Sequence, residues 1–469
     1  MKFFTIYSLI FVLCHIAIDV NAKVEGANHD TQTKAPNIVI LLADDMGYGE
    51  LSSYGQTQIK TPNIDKLAKN GIKFTDFYAG TSVCAPSRAV LMTGRHTGNL
   101  SIRGNKGYTP DGKWGRIPLK KSETTIAEML QNAGYQTAMV GKWHLDIPED
   151  ESTWAHNRGF DYAVQEQWGK SANGMIYDER EHWLFNNGKK SSAFYDYNEY
   201  SCLDEFRTDY AIDFLNKKSD DKPFFLYMSY RSPHAHEFFL RKNDLYKEHA
   251  KEWPEIERRH AARITMLDEQ IQRLLDKLEA DGELDNTFIL FTSDNGPHAE
   301  NHHDRHFFDS SGGLKGYKRD VYEGGVRIPA IAYWQGKIEA GETKHMAAFY
   351  DIMPTLADLA STNAPINDGI SFAPLLFKEA QDKHQFIYWE IQEGESVNGF
   401  RQAVRLGKWK AIRYADKLKT ELYDLSRDLS EKKDLANKHP ELVAQANNIM
   451  KKESKVTPRF PFSGGVWQH

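Results

Sequence analysis

The stretch Asn37-Ile38-Val39-Ile40-Leu41-Leu42 is apolar without interruption and runs, two residues on, into Asp44-Asp45. An unbroken run of this kind is what a strand covered on both faces requires, because neither face then meets water. The same grammar repeats outward from it. Thr61-Pro62-Asn63 offers a cap and an N1 proline to a helix in which Ile64, Leu67 and Ala68 share a face before Gly71. Thr125 and Glu128 form a capping-box pattern around Ile126, Met129, Leu130 and Ala133, with Gly134 as the stop. Strands are expected over 135–140, 224–230 and 287–292. A long amphipathic helix runs through Ile264, Leu267, Ile271, Leu274, Leu275 and Leu278. Repeated strand–helix–strand units predict an α/β fold, a large, mostly parallel sheet sandwiched by helices.

The pattern changes after Leu376. Short strands with turns between them are expected over 386–389, 402–405, 409–413 and 421–424, followed by a closing helix over 441–451. These predict a smaller C-terminal α+β domain, 377–469, carrying an antiparallel sheet. The segment 151–203 is rich in Trp, Asn, Tyr and Gly without a clear period, and is expected to be a surface excursion forming part of a substrate wall. At the other end, Lys2, the apolar run from Ile6 to Leu13 and the small-residue exit Val20-Asn21-Ala22 read as a secretory signal over 1–22, cleaved after Ala22. That run is too short to span a bilayer, and no later stretch approaches a span. The expectation is an exported protein, periplasmic or secreted, whose catalytic domain covers 23–376.

Composition narrows the partners. Of 469 residues, 40% are apolar and 26% charged, which excludes a disordered or multi-span chain. Lys and Arg number 59 against 65 Asp and Glu, so a nucleic-acid partner has no electrostatic footprint. Beyond the signal only Cys84 and Cys202 remain. An exported protein can pair them, or one is held back for chemistry.

In open α/β sheets ligands bind beyond the carboxyl ends of the strands. Four strands here deliver polar residues to that edge: Asp44-Asp45, Gly141-Lys142-Trp143-His144, Ser232-Pro233-His234 and Asp294-Asn295-Gly296. Asp44, Asp45, Asp294 and Asn295 offer only oxygen ligands, a set that selects a hard cation such as Ca²⁺ or Mg²⁺ over zinc.

Between the first and second of these ends lies Cys84-Ala85-Pro86-Ser87-Arg88, followed by Thr93-Gly94-Arg95. This C-x-P-S-R and T-G-R pair resembles the signature of the formylglycine-dependent (type I), arylsulfatase-like sulfatases of the alkaline phosphatase superfamily. The likeness continues in family order through G-K-W-H, S-P-H, D-N-G and Gly313-Leu314-Lys315-Gly316, spanning Pro36 to about Trp409. The resemblance implies sulfate-ester hydrolysis, with Cys84 oxidised to Cα-formylglycine by a formylglycine-generating enzyme. It also implies one Ca²⁺ held by Asp44, Asp45, Asp294 and Asn295, with residue 84 completing the set. An aldehyde hydrate has one hydroxyl to attack sulfur and a second whose deprotonation expels sulfate; a serine would remain as a stable sulfate ester. Arg88 and the metal are placed to favour the hydrate's anion. Lys142 and Lys315 are the candidates to hold sulfate oxygens. By resemblance His144 assists elimination, and His234 protonates the leaving oxygen as general acid.

Four histidines, two acids and an arginine fall within residues 297–306. They could bind a second metal but fit no standard zinc spacing, so a loop at the pocket mouth is expected, with His303, Asp304 and Arg305 contacting sugar; the alternative is a solvated polar loop. His236 is a weaker candidate of the same kind. Export and long loops favour a sulfated polysaccharide or its oligosaccharides as substrate. The alternatives are a phosphatase or phosphodiesterase of the same superfamily, which Cys84 opposes, and a catalytically silent carbohydrate-binding homologue.

Overall fold

Ten strands form the main sheet: β1 (Asn37–Asp44), β2 (Ile72–Phe74), β3 (Gln136–Gly141), β4 (Tyr162–Gln167), β5 (Glu181–Asn186), β6 (Lys189–Ala193), β7 (Phe224–Pro233), β8 (Thr287–Ser293), β9 (Ala330–Tyr333) and β10 (Gly341–Thr343). Their spatial order is β10-β2-β9-β8-β1-β7-β3-β4-β5-β6. The central five, β8 to β4, are mutually parallel, while β9 and the hairpin β5–β6 join antiparallel. This computed structural model describes Met1 and residues 35–167, 181–193, 199–235, 245–415 and 419–461. Of the signal expected over 1–22, all but Met1 lies outside those residues. No helix among the described residues is long and apolar enough to cross a membrane.

The apolar run over 37–42 is buried throughout and serves two cores at once. Ile38, Ile40 and Leu42 enter one cluster, Val39, Leu41 and Ala43 the other. Over the first face lie α2 (Cys84–Thr93) and α3 (Ile126–Asn132). The second carries α1 (Pro62–Asn70), α4 (Leu203–Lys217) and α5 (Glu255–Ala280). The capping box at Thr125 and Glu128 forms with both reciprocal bonds. Thr61 does not cap α1 with its side chain. Asp268 of α5 does so instead, accepting from the Asn63 and Ile64 amides at 3.0 and 2.7 Å, which fastens the two helices together.

The expectation for 151–203 needs correction. Part of it extends the main sheet: β4 pairs parallel with β3, and β5 and β6 fold back as a hairpin. The hairpin turns at Asn187-Gly188, both with left-handed φ (47° and 78°), the Asn-Gly pair that such two-residue turns favour.

The C-terminal strands β11 (Ile387–Gln392), β12 (Phe400–Leu406), β13 (Trp409–Tyr414) and β14 (Thr420–Asp424) form the expected antiparallel sheet, in chain order. Strand alternation divides its residues. Ile387, Trp389, Ile391 and Ile412 join the main core, while Tyr388, Val404 and Leu422 pack with Ala446 and Met450 of the closing helix, Pro440–Glu453. Lys410 reaches across to Glu323 at 2.8 Å, both fully buried.

Gly141 ends β3 at a φ of 112°, and a Cβ there would stand 1.9 Å from the Ser229 carbonyl oxygen of β7. Gly134 has a similar φ of 89° with open space around it. In denaturant melts Gly141→Ala should cost about 3 kcal/mol or more through collision added to strain, and Gly134→Ala only about 1 kcal/mol. Equal losses would show that strain alone acts.

Candidate active site

Strands β8, β1, β7 and β3 are neighbours, so the four polar strand ends fall side by side on one edge. Register keeps them level: Ala43 pairs with Ser293, Asp44 with Pro233, and Ser229 with Gly141. Into this edge α2 brings Cys84 at its first position. Every residue of that helix is buried, and its N-terminal end concentrates positive potential beside residue 84. The Cys84 Sγ lies 3.5 Å from Asp44 Oδ1 and 3.7 Å from Asp45 Oδ1. Neither Cys84 nor Cys202 is in a disulfide, so the pairing option is not realised.

Charge at this edge is dense and closely matched. Asp44 receives Lys142 Nζ at 2.6 and 2.8 Å, with Arg88 Nη2 at 3.5 Å and Arg231 Nε at 3.6 Å. Arg88 also grips Asp294 Oδ2 through Nε and Nη2, both at 2.8 Å, and donates to the Lys142 carbonyl. Burial works against the Asp44 charge, yet Lys142, Arg88 and Arg231 outweigh it and hold the carboxyl well below the usual range. The other two acids are less well served. Burial, then the Asp44 charge, lifts Asp294 to about 7, and burial also raises Asp45. Burial pushes the Cys84 thiol well up against the pull of Lys142, so an unmodified thiol here is a weak nucleophile. Burial followed by nearby cations, Lys142 for His144 and Arg231 for His234, lowers both imidazoles and leaves them neutral.

Asp44, Asp45, Cys84 and Asp294 present ligand atoms within 4.8 Å of one another. Asn295 donates through Nδ2 to Asp45 Oδ1 at 2.7 Å, while its Oδ1 is buried with no hydrogen-bond partner. A lone buried carbonyl oxygen beside two acids of raised pKa fits a hard cation, which would satisfy the oxygen and relieve the surplus negative charge.

Above this floor opens a cavity of about 480 Å³ lined by Cys84, Asn105, Lys142, His144, His234, Glu300, Asn301, Lys318 and Arg319. It gathers the predicted Cys84, Lys142, His144 and His234. Lys315 is not among its residues. The Lys315 ammonium lies over the Tyr322 ring and donates to Tyr423 Oη and the Glu431 carbonyl at 3.1 and 3.2 Å. The left-handed turns at Gly313 and Gly316 precede a reversal that presents Lys318 to the site instead. Lys318 Nζ stands 2.7 Å from Asp45 Oδ2, 3.2 Å from Glu300 and 3.4 Å from His234 Nε2. Despite its burial, Asp45 holds this lysine protonated.

The sugar-contact expectations are corrected too. His303 is buried against Glu257, Asp304 gives its backbone N–H to the same carboxylate, and Arg305 stacks on Tyr317. None of the three lines the cavity; Glu300 and Asn301 of the same loop do. His236 lies outside the described residues. The sequence reading also missed Arg231, Asn105 and Arg319. Asn105 accepts from the Ala85 amide at 3.0 Å, a contact between distant segments that has no local sequence signal.

Residues 36–362 match the Sulfatase family, and residues 313–456 match the C-terminal region of N-sulphoglucosamine sulphohydrolase. An arylsulfatase of Hemicentrotus pulcherrimus is 34% identical, covering 82% of this chain and 69% of that protein. Arylsulfatase A of Homo sapiens is 31% identical over 81% and 75%. The crystal structure of Ps i-CgsB superposes with a TM-score of 0.75 at 26% identity, covering 93% of this chain and 97% of that one. A second structure of it, in complex with k-i-k-neocarrahexaose, gives 0.74 at 25% with the same coverage.

The donor set predicts how divalent cation binding responds to substitution. Titration calorimetry should find affinity lowered about tenfold in Asn295→Ala, which removes one neutral oxygen, and at least about 100-fold in Asp45→Ala. Unchanged affinity in both would remove the cation from this edge.

Proposed function

Since the chain belongs to the sulfatase family and hydrolyses sulfate esters, we propose that it acts on a sulfated polysaccharide or its oligosaccharides, with residue 84 matured to Cα-formylglycine and one bound Ca²⁺. The carrying observation is Cys84 itself, a buried C-x-P-S-R cysteine at the first position of a helix, on the floor of the cavity and against Asp44 and Asp45. A formylglycine-generating enzyme is the maturation partner, and the signal over 1–22 exports the chain.

Matured to formylglycine, residue 84 would supply the nucleophile on sulfur as its hydrate. Asp44, Asp45, Asp294 and Asn295, with residue 84, would hold Ca²⁺, which would supply positive charge beside the nucleophile. The chain's own groups do the remainder. Arg88 holds Asp44 and Asp294 in place from beneath. Lys142 and Lys318 flank residue 84 and attract sulfate oxygens, the task first assigned to Lys142 and Lys315. His144, whose Nδ1 is buried without a partner, is available to take a proton from residue 84. His234 lies beside Lys318 and Asp45 and is neutral in the free protein. The negative charge of an arriving sulfate ester favours its protonation and so its role as general acid. Asn105, Glu300, Asn301 and Arg319 give the cavity wall donors and acceptors suited to sugar hydroxyls. The 25% identical Ps i-CgsB, solved with k-i-k-neocarrahexaose, supports a carbohydrate substrate.

Mass analysis of the tryptic peptide containing residue 84 should find the aldehyde in active enzyme, and carbonyl-specific labelling should titrate with activity. Full activity with an intact thiol would sink the assignment. Cys84→Ser should fold and yet fail to turn over a sulfated oligosaccharide.

The cavity groups separate on two substrates. A sugar alkoxide needs a proton as it leaves, whereas a nitrophenolate does not. His234→Ala should therefore lose about 10²–10⁴-fold more rate on a sulfated sugar than on nitrophenyl sulfate. Lys318→Ala should depress both alike and Lys315→Ala neither. Equal losses in His234→Ala would refute the acid role.

A further inference from the structure

Behind the cavity, on the far side of the loop that carries Glu300 and Asn301, lies a buried cluster that the chemistry above does not use. Glu50, from the turn after β1, is fully buried. Its Oε2 accepts from the Gly47 amide at 2.7 Å, and its Oε1 stands 2.5 Å from His260 Nε2 of α5. His303 stacks on His260 with ring centroids 3.9 Å apart. His303 Nδ1 meets Glu257 Oε2 at 2.7 Å, and the other Glu257 oxygen accepts from the Asp304 amide at 2.8 Å. This leaves His303 Nε2 and His260 Nδ1 buried with no hydrogen-bond partner. His298 forms one wall and is already satisfied on both nitrogens, by the Glu300 amide and the Pro233 carbonyl, each at 3.1 Å.

Buried nitrogens without partners are costly, about 1–3 kcal/mol each, and two stacked imidazoles have no mutual hydrogen bond to offset that cost. Glu50, His260 and His303 offer one ligand atom each within 4.8 Å of one another. We propose that Glu50, His260 and His303 form a second cation site, for a zinc-class divalent ion. Two imidazoles and one carboxylate suit a borderline ion, in contrast to the oxygen-only set at the strand ends. Glu257 completes the arrangement. It fixes the proton of His303 on Nδ1, turns the Nε2 lone pair toward the ion, and makes that nitrogen more basic. Binding at Zn–N distances of about 2.0 Å turns the two imidazoles out of their stack, so that the free His260 Nδ1 and His303 Nε2 point at one ion beside Glu50, and a water takes the fourth position. The ion ties the turn after β1 to α5 and to the loop whose Glu300 and Asn301 face the substrate cavity.

The test uses the full chain, loaded with Ca²⁺, exposed to one equivalent of zinc chloride and dialysed. Elemental analysis should find one zinc per chain, and Co²⁺ in its place should give visible ligand-field bands of four-coordinate intensity. His303→Ala should lose both signals. Glu257→Gln keeps a hydrogen-bonding side chain of the same size at this position, and should weaken zinc binding about 10–100-fold while thermal unfolding shows a folded protein. Folded wild-type protein that retains no zinc would overturn the proposal. So would zinc retained unchanged by His303→Ala, because that ion would sit elsewhere.

Discussion

Asp44 is wholly removed from water and stays ionised because Lys142, Arg88 and Arg231 surround it. Breaking such a cluster by removing one member leaves a buried charge uncompensated, which typically costs about 3–5 kcal/mol. The site therefore depends on the sheet order that brings these side chains together. Arg231 arrives on β7, Lys142 at the end of β3, Asp44 on β1 and Asp294 after β8, four neighbouring strands with level ends. Arg88 comes from one turn further along the helix that Cys84 begins, so nucleophile and counter-charge are set by one rigid element.

The smaller sheet supports this arrangement from the side. Lys410 on β13 sits between Glu323 and Glu431 at 2.8 and 3.4 Å, and burial with Lys410 beside it leaves the pair unequal, Glu323 held low and Glu431 raised to about 7. Glu323 also takes Arg327 at 2.7 Å and follows the turn that carries Lys315 and Lys318. The Glu323 amide in turn donates to Glu431 at 2.7 Å. The C-terminal sheet thus fixes the backbone just beyond the residues that enter the cavity, and Lys315 is part of that fastening.

Much of this was legible because local physics and tertiary role coincide. The unbroken apolar run at Ile38–Leu42 could only be a covered strand, and the acids after it could only lie at its end. Cys84 and Arg88 are four apart in a motif that is also a helical turn. What the sequence hid depends on distances between segments. Lys315 and Lys318 are chemically equal, and only the fold of the turn decides which one meets Asp45. His303 looked like a surface group because nothing local announces Glu257 of α5, 46 positions earlier, as its partner. The hairpin β5–β6 did have a local sign, Asn187-Gly188, lost in a segment otherwise without period.

That hairpin bears on how the edges of so large a sheet are guarded. A ten-stranded sheet has two open rims, and each is a template on which another copy could add a strand. One rim is β6, whose Lys189, Lys190, Ser191 and Ser192 are all exposed. The other is β10, three residues long, with Glu342 at its centre. One rim carries Lys189 and Lys190, the latter held by Glu151 at 2.5 Å, so an incoming strand meets charged and exposed polar side chains; the other is too short to hold a register. Both rims are therefore poor templates for the addition of a further strand.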